Sequence, residues 1–255
     1  DKWDVDYGRQ KLLKETIKNI IRVGMVSKSL SLPRKTLGRI VTYALQVKGF
    51  VLVPYNDSRR GKVIELIRGI KKETEMLLAD NEAYQLFATV KAVAKIQGDI
   101  AEVGVFKGGS AKLICEAKGN KRLHLFDTFE GIPKVETIDI PKFHKGQYSS
   151  SLEDVKNYLK CYDNVLFYRG IFPDNIQPVE DVEFSFVHLD VDTYRSTLKC
   201  LEYFYTRINA GGAIISHDYN SAPGVKKAID EFFENKIEPI IEMSGSQCLM
   251  IKLAQ

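Results

Sequence analysis

Polar side chains with metal-binding chemistry follow two short β-rich runs of the sequence. Asp190 and Asp192 come after the first run, and His217 and Asp218 come after the second, with Asn220 two positions further on. Carboxylates this close together repel each other unless a cation or a proton compensates their charge. Carboxylate and amide oxygens suit Mg²⁺, and a histidine shifts the preference towards transition metals. These residues predict a cation site, although Asp192 alone would also fit as the N-cap of a following helix.

A glycine turn with an acid in front of it follows an earlier β-rich run. It reads EVGVFKGGS from Glu102 to Ser110, with Gly104 and Gly108 placed for a tight turn and close approach to a ligand. The helix that follows would present free N–H groups to an anion, and Glu102 would hold an ammonium group. Together they fit an amino-acid zwitterion such as that of S-adenosylmethionine. The spacing differs from the dinucleotide G-x-G-x-x-G pattern, and the turn has no Walker lysine.

An aspartate stands where nucleotide-binding folds commonly place the residue that binds ribose. Asp127 ends another β-rich run, about 20 residues after the glycine turn. A ribose contact is the preferred interpretation, and a turn or helix-cap aspartate is the alternative. Ligands of open α/β sheets bind beyond the carboxyl ends of the strands, so either interpretation places Asp127 at the same edge of the sheet as the acids and the histidine.

Strands and helices alternate after Gly98, and this pattern predicts the scaffold that positions these residues. Alternation implies right-handed crossovers and a parallel sheet covered on both faces. The last two strands are joined by too few residues for a crossover, so the final strand is antiparallel. The predicted fold is α/β: a Rossmann-like, mostly parallel seven-stranded sheet that ends in an antiparallel hairpin, as in class I methyltransferases. The predicted strands are 100–103, 123–126, 165–168, 184–189, 213–216, 237–241 and 248–253.

The first part of the chain differs from the rest in periodicity and in charge. Apolar residues recur at helical spacing in most of residues 1–97. Residues 1–72 carry a net charge of +11, and the remainder carries −7. We therefore predict a basic helical extension over residues 1–73 and a catalytic domain over residues 74–255. The extension is expected to form the interface of a homo-oligomer, most simply a dimer, or to roof the pocket for the acceptor, the molecule on which the catalytic domain acts. Its charge would suit an anionic acceptor or peripheral contact with anionic lipid, and a solvated basic surface is the alternative.

Composition and cysteine spacing narrow the class of protein. The chain has 255 residues, of which 44% are hydrophobic and 27% charged, as in a globular protein. Its four cysteines form no CxxC pair and no cluster with histidine, which indicates a reducing compartment, and no apolar run reaches the length of a membrane span. A cytoplasmic protein is therefore expected. Nucleic acid is not an expected partner, because the catalytic half is acidic and lacks a basic patch interleaved with aromatic residues.

Four ordered motifs resemble the macrocin O-methyltransferase (TylF/MycF-like) family, whose members methylate sugar hydroxyls of antibiotics. The motifs are GDIAEVGVFKGGS from Gly98, FDTFEGIP from Phe126, LDVDTY from Leu189, and the stretch from Gly211 to Tyr219. The resemblance covers roughly residues 74–253 and extends little into the first 70 residues.

The resemblance implies an O-methyltransferase that uses S-adenosylmethionine and a divalent metal, Mg²⁺ or Mn²⁺, and methylates a hydroxyl of a sugar or a glycosylated small molecule. Asp190, His217 and Asp218 would hold the metal, with Asp192 or His217 as the general base. Family members often carry two acids where this chain has His217-Asp218, so His217 is a ligand, a base or a residue that weakens the metal site. The residues implied in cofactor binding are Glu102, Gly104, Val105, Gly108, Ser110, Asp127, Thr128, Phe129, Gly170 and Asp190.

Two other classes of function stay open from the sequence. One is a non-methylating enzyme on the same fold, such as a hydroxylase-like relative, because one fold hosts several chemistries. The other is a scaffold that binds S-adenosylmethionine or a nucleotide at an anionic surface, which the basic extension would suit.

Residues 130–150 form a long segment without a clear helix or strand pattern, and they are predicted to be a lid that excludes water from the site.

Overall fold

The computed structural model describes residue 43 and residues 58–254, apart from residues 175–178 and 180. The helices from residue 58 onward are α1 (Ser58–Glu73), α2 (Asp80–Ala92), α3 (Gly109–Ala117), α4 (Leu152–Leu159), α5 (Tyr194–Phe204) and α6 (Pro223–Phe233). The strands are β1 (Asp99–Val103), β2 (Leu123–Asp127), β3 (Val165–Arg169), β4 (Phe184–Leu189), β5 (Ile208–Ser216), β6 (Ile241–Glu242) and β7 (Cys248–Ile251). Among the described residues, no helix is long and apolar enough to cross a membrane.

The chain divides into two compact units, residues 1–57 and residues 58–255. In the first unit only Tyr43 is described, a helical residue with an exposed side chain. Most of the predicted helical extension, residues 1–42 and 44–57, therefore lies outside the described residues, and its predicted roles in oligomerisation, in roofing the pocket and in contacting lipid stay predictions.

The second unit begins earlier than the sequence predicts. The helix α1, 16 residues long, buries Ile64, Ile67 and Ile70 in the same core as α2 and α3. The compact unit that contains the sheet therefore includes α1 and begins at Ser58, and the predicted division into an extension and a catalytic domain stays a prediction.

The strands form one sheet of seven in the order β3-β2-β1-β4-β5-β7-β6. The strands β1 to β5 run parallel, and β7 runs antiparallel to both of its neighbours, β5 and β6. The strand order reverses between β1 and β4, which is where open α/β sheets bind ligands. This topology confirms the predicted fold, a mostly parallel Rossmann-like sheet that ends in an antiparallel hairpin.

The register of the parallel strands brings their carboxyl ends to a common level. Val103 of β1 lies opposite Phe126 of β2 and Leu189 of β4, and Leu189 lies opposite Ser216 of β5. The loops that follow these strands therefore begin side by side, and we call them the carboxyl edge of the sheet. Side chains from these loops can therefore form a shared site at this edge.

Helices cover both faces of the sheet with apolar side chains. On one face, α1, α2 and α3 bury Ile67, Leu86 and Ile114. On the other face, α5 and α6 bury Phe204 and Ile229. Full burial of one such side chain stabilises the fold by about 1.5–3 kcal/mol relative to an exposed position. The two layers together fix the strands and therefore the positions of the loops at the carboxyl edge.

The sixth strand differs most from its prediction. The sequence predicts a strand over residues 237–241, but β6 comprises only Ile241 and Glu242. Pro239 has no N–H to donate to a neighbouring strand, and Ile237 is 64% exposed. Apolar composition alone therefore misplaces this short edge strand.

Candidate active site

The predicted acids and the predicted histidine meet at the carboxyl edge. Asp190 follows β4, and His217 and Asp218 follow β5. His217 Nδ1 lies 3.3 Å from Asp190 Oδ1 and 3.1 Å from Asp218 Oδ2. The potential ligand atoms of these three residues all lie within 4.8 Å of one another, and we call the three the acid–histidine cluster. Asn220, by contrast, is exposed.

Charges within this cluster strongly change its protonation. Burial disfavours the charged form of His217, but the Asp190 carboxylate and hydrogen bonds to carboxylates outweigh burial and raise the pKa of the imidazole. Burial would also raise the pKa of Asp218, yet the hydrogen bond and charge of His217, helped by Lys142, lower it. Without a cation, the carboxylates on either side of the ring therefore favour the protonated form of His217, and a cation bound between them would take over this charge balance.

Asp192 lies beside the cluster in an unusual conformation. Its backbone is left-handed, with φ 63°, and its carboxylate has no hydrogen bond within the described part of the chain. Burial and the negative charges of Asp190 and Asp218 raise the pKa of Asp192 well above its ordinary value. The alternative role as a helix N-cap is wrong, because Thr193 occupies the N-cap position of α5.

We call residues 130–150 the lid segment. A lysine of this segment contributes to the charge balance of the acid–histidine cluster. Lys142 Nζ donates to Asp218 Oδ1 at 2.8 Å and to Ser221 Oγ at 3.0 Å. Ser221 Oγ donates to the same oxygen of Asp218. The sequence contains no local signal for this contact, because Lys142 and Asp218 are 76 positions apart.

The lid segment packs onto the domain through buried side chains and turns, without a helix or strand of its own. Ile132 and Phe143 are buried in the core on the α5 and α6 face. Asp139 is also buried, and its Oδ1 accepts a hydrogen bond of 3.0 Å from the N–H of Tyr194. Tyr194 begins α5, so Asp139 fixes the lid segment to the helix that starts beside Asp192.

Tyr148 connects the lid segment to the glycine turn. Its ring packs edge-on against Phe106, with 5.9 Å between the ring centroids, and Ser150 Oγ donates to the Phe106 carbonyl at 2.6 Å. Burial, followed by the charge of Asp192, raises the pKa of the Tyr148 hydroxyl. Tyr148 thus lies close to both the turn and the acids. From the sequence, only its position within the predicted lid indicates that it lies near the site.

The glycine turn lies directly against the acid–histidine cluster. Gly104 has φ +87°, and a Cβ atom at this position would lie 1.9 Å from the backbone carbonyl oxygen of Asp190. Asp190 in turn donates its backbone N–H to the Val103 carbonyl at 2.9 Å. Only glycine combines this φ with such a close approach. The predicted cofactor turn and the predicted metal ligand are therefore neighbours in space.

Asp127 holds the glycine turn in place. Its Oδ2 accepts hydrogen bonds from the N–H groups of Val105 at 2.6 Å and Phe106 at 2.9 Å. Its Oδ1 accepts one from the N–H of Phe129 at 2.7 Å. The alternative interpretation of Asp127 as a turn residue is thus observed, and the ribose contact stays a prediction that would use the less occupied Oδ1.

Glu102 lies beneath the turn. Its side chain has no exposed surface, and its Oε1 lies 2.8 Å from Nδ1 of His188, the residue opposite it on β4. Burial raises the pKa of Glu102, although His188 acts against this shift. Glu102 Oε2 is buried and has no hydrogen-bond partner among the described residues, and the predicted contact with an ammonium group stays a prediction.

The other predicted cofactor residues lie along the same edge. Gly108 has a left-handed backbone immediately before α3, and Ser110 lies in the first turn of that helix. This turn has no acidic side chain, so none competes with an anion for its N–H groups. Thr128 Oγ1 donates to a backbone carbonyl of its own turn at 2.8 Å, and the N–H of Gly170 donates to the Asp127 carbonyl at 3.0 Å.

Non-glycine residues in the left-handed region follow four of the strands that end at this edge. They are Phe106 (φ 49°), Phe129 (φ 58°), Asp192 (φ 63°) and Asp218 (φ 61°), after β1, β2, β4 and β5. Such conformations cost on the order of 1–3 kcal/mol each, and they cluster at functional sites. The concentration of strain at this edge independently marks it as the functional part of the sheet.

A buried glutamate on α2 approaches the cluster from the opposite side. Glu82 Oε2 lies 3.6 Å from His217 Nε2, and Glu82 Oε1 accepts hydrogen bonds from the N–H and Oγ of Ser246 at 2.7 and 2.9 Å. Burial opposes its charge, but hydrogen bonds from His217 and Ser246 lower the pKa of Glu82 to about 2. The sequence reasoning missed both residues, since nothing in the local pattern around either one indicates this contact.

The order of the strands and the site at the carboxyl edge define a Rossmann-like fold of the class I methyltransferase type. Within that class, the chain belongs to the macrocin-O-methyltransferase (TylF) family, which it matches over residues 80–249. The match confirms the resemblance inferred from the four motifs.

Curated relatives agree with this assignment, and a solved structure agrees with the fold. A protein of Streptomyces olivaceus is named 8-demethyl-8-(2,3-dimethoxy-alpha-L-rhamnosyl)-tetracenomycin-C 4'-O-methyltransferase. It is 31% identical over 169 residues, covering 59% of this chain and 64% of the relative. Mycinamicin III 3''-O-methyltransferase of Micromonospora griseorubida is 28% identical over 155 residues, covering 54% and 61%. The structure of the O-methyltransferase NovP superposes with a TM-score of 0.64 at 19% identity, covering 77% of this chain and 98% of that chain. The chain thus spans less than two thirds of the length of the curated relatives.

Proposed function

We propose that this chain is an S-adenosylmethionine-dependent O-methyltransferase that acts on a hydroxyl of a sugar or a glycosylated small molecule. The observation that carries the proposal is the contact between the glycine turn and the acid–histidine cluster, in which Gly104 lies against the Asp190 carbonyl. A methyl donor at the turn and an acceptor hydroxyl at the cluster would be held side by side, which is the main requirement for this transfer. The family, and a relative named for a rhamnosyl substrate, support the acceptor class.

The carboxyl edge fits S-adenosylmethionine. The N–H groups in the first turn of α3 would receive the cofactor's carboxylate, and Asp127 lies at the end of β2 where ribose hydroxyls are bound in such folds. When bound, the cofactor supplies an electrophilic methyl group on its sulfonium. The unpartnered Oε2 of Glu102 would accept a hydrogen bond from the cofactor's ammonium group.

The acid–histidine cluster fits a divalent cation, Mg²⁺ or Mn²⁺. Asp190, His217 and Asp218 would hold it, since two carboxylates and an imidazole within 4.8 Å form a suitable donor set. When bound, such a cation lowers the pKa of a coordinated hydroxyl group. Lys142 already donates to Asp218 and would have to yield part of that contact.

Asp192 is the general base in this proposal. Both ring nitrogens of the alternative base, His217, already face acceptors: Nδ1 lies near Asp190 and Asp218, and Nε2 lies 3.1 Å from Ser246 Oγ. The Asp192 carboxylate has no such partner among the described residues and would accept the proton that the acceptor hydroxyl loses. The lid segment would exclude water, which otherwise competes with the acceptor.

Transfer of a labelled methyl group to sugar-bearing acceptors tests this function. The full chain, incubated with trideuteromethyl S-adenosylmethionine and a panel of deoxyhexosyl glycosides with their free aglycones, is expected to label the sugar of at least one glycoside and no aglycone. Mass spectrometry with fragmentation locates the label. Labelling of aglycones alone would overturn the acceptor class.

No observation favours a non-methylating enzyme or a binding scaffold over a methyltransferase. The homo-oligomer and the contact with anionic lipid remain predictions, because they depend on the basic extension.

A further inference from the structure

His217 is held at both edges of its ring, and the two edges face different chemistry. Its Nδ1 points to Asp190 and Asp218, the two carboxylates of the acid–histidine cluster. Its Nε2 lies 3.1 Å from Ser246 Oγ and 3.6 Å from Glu82 Oε2. Metal-bound histidines commonly donate their second ring N–H to a carboxylate or another acceptor, which fixes both the tautomer and the ring orientation. His217 has this arrangement, with Nδ1 on the side of the predicted ion.

Glu82 is fixed in the position that this role requires. It is 6% exposed, and its oxygens accept hydrogen bonds from the N–H of Ala79 at 2.8 Å and from the N–H and Oγ of Ser246. Gly245 allows this approach, because a Cβ atom there would lie 2.4 Å from Glu82 Oε1. The carboxylate therefore cannot turn away from His217 without losing several hydrogen bonds.

The turn that carries Ser246 is itself attached to α2. Asn81 Nδ2 donates to the Ser244 carbonyl at 2.7 Å, and Gln85 Nε2 donates to the same carbonyl at 3.0 Å. Asn81, Glu82 and Gln85 all lie on α2, so one helix holds both the carboxylate and the serine against the ring. Three side chains of α2 thus converge on a turn that otherwise lies at the edge of the sheet.

We infer that Glu82, together with Ser246, is a positioning residue that presents Nδ1 of His217 to a divalent ion, and that the site therefore selects Mn²⁺ over Mg²⁺. The inference rests on the metal site of the proposed function. Mg²⁺ prefers an all-oxygen site, whereas an imidazole ligand favours first-row transition metals.

Metal binding to the full chain tests the inference without relying on turnover. Titration of Mn²⁺ followed by electron paramagnetic resonance, with Mg²⁺ as competitor, should show at least tenfold tighter binding of Mn²⁺. Pulsed spectra of the Mn²⁺-loaded protein should show nitrogen couplings from a coordinated imidazole. His217→Asp should abolish both the nitrogen signal and the preference while still binding a divalent ion.

Two variants separate positioning from general stability. Glu82→Gln is expected to weaken Mn²⁺ binding by about 10–100-fold, the usual effect of losing such a partner. Ser246→Ala, which removes a single hydroxyl, is expected to weaken it less. The control is Glu238→Gln, because Glu238 is a similarly buried acid, 3% exposed, that pairs with Lys252 away from the site. It should leave Mn²⁺ affinity unchanged.

The outcomes distinguish this inference from the proposed function. If Mn²⁺ binds without nitrogen couplings, or no more tightly than Mg²⁺, the inference is wrong and the metal site stands. If no divalent ion binds while labelled methyl transfer continues in excess chelator, the metal site and the inference both fail and the methyltransferase assignment stands. If Glu82→Gln and Glu238→Gln weaken Mn²⁺ equally, Glu82 has no positioning role.

Discussion

Gly104→Ala is expected to abolish binding of S-adenosylhomocysteine and to destabilise the protein by about 2–5 kcal/mol. A left-handed φ costs a residue with a Cβ about 1–2 kcal/mol, and the overlap with the Asp190 carbonyl, at 1.9 Å, adds about 1–3 kcal/mol. Relief of the overlap must move the turn or the end of β4, and both line the proposed cofactor site. Calorimetric titration and thermal unfolding measure the two effects, with a loss of roughly 5–15 °C in Tm.

Gly61→Ala is the matched control for this prediction. Gly61 lies in α1, and a Cβ atom there meets nothing within 4 Å. Alanine has the higher helix propensity, so this variant should be as stable as the parent or more stable, and it should bind S-adenosylhomocysteine normally. If Gly104→Ala bound the ligand as tightly as Gly61→Ala does, the glycine turn would not be the cofactor site.

Asp192→Asn is expected to lower kcat by about 10²–10⁴-fold, the range typical of a lost general base. Binding of S-adenosylhomocysteine should stay within a factor of a few, because the proposal assigns Asp192 to the acceptor hydroxyl and not to the cofactor. Single-turnover methyl transfer and calorimetry measure the two quantities separately. The amide keeps the size of the side chain, so a change in packing cannot account for the loss.

The control for Asp192→Asn is the same change at an exposed aspartate outside the carboxyl edge. Asp181→Asn provides it, and this variant should retain full activity. If Asp192→Asn turned over as fast as the parent, Asp192 would not be the general base. His217 would then be the remaining candidate that the sequence predicts.

The fold, and the meeting of the predicted acids and histidine at one edge of the sheet, follow from the sequence because both depend on local patterns. Alternating strands and helices predict the parallel sheet, and the short link before the last strand predicts the hairpin. The parallel register then brings Asp190 and His217 together, since each follows a strand that ends at the same level. Spacing alone is enough for this part.

Contacts between distant parts of the chain cannot be predicted from local patterns and spacing. Lys142 and Glu82 reach the cluster from a segment without regular structure and from a helix on one face of the sheet. Glu82 and Ser246 are 164 positions apart. Their positions depend on how α2 and the lid segment pack, and packing is specified by the whole core rather than by a local motif.

Individual roles at the carboxyl edge are also only partly predictable. Asp127 accepts hydrogen bonds from two backbone N–H groups of the glycine turn and from that of Phe129, and Glu102 is fully buried, although the sequence favours direct ligand contacts for both. A motif specifies that an acid is present, whereas the direction of its side chain depends on which backbone groups need a hydrogen-bond partner.

Calorimetric titration of the full chain with S-adenosylhomocysteine, and separately with NAD⁺, tests the central claim most directly. The carboxyl edge described above should bind one S-adenosylhomocysteine per chain and should give no heat with NAD⁺, because the glycine turn lacks the dinucleotide spacing. Binding of NAD⁺ without binding of S-adenosylhomocysteine would contradict the assignment of this edge to a methyl donor.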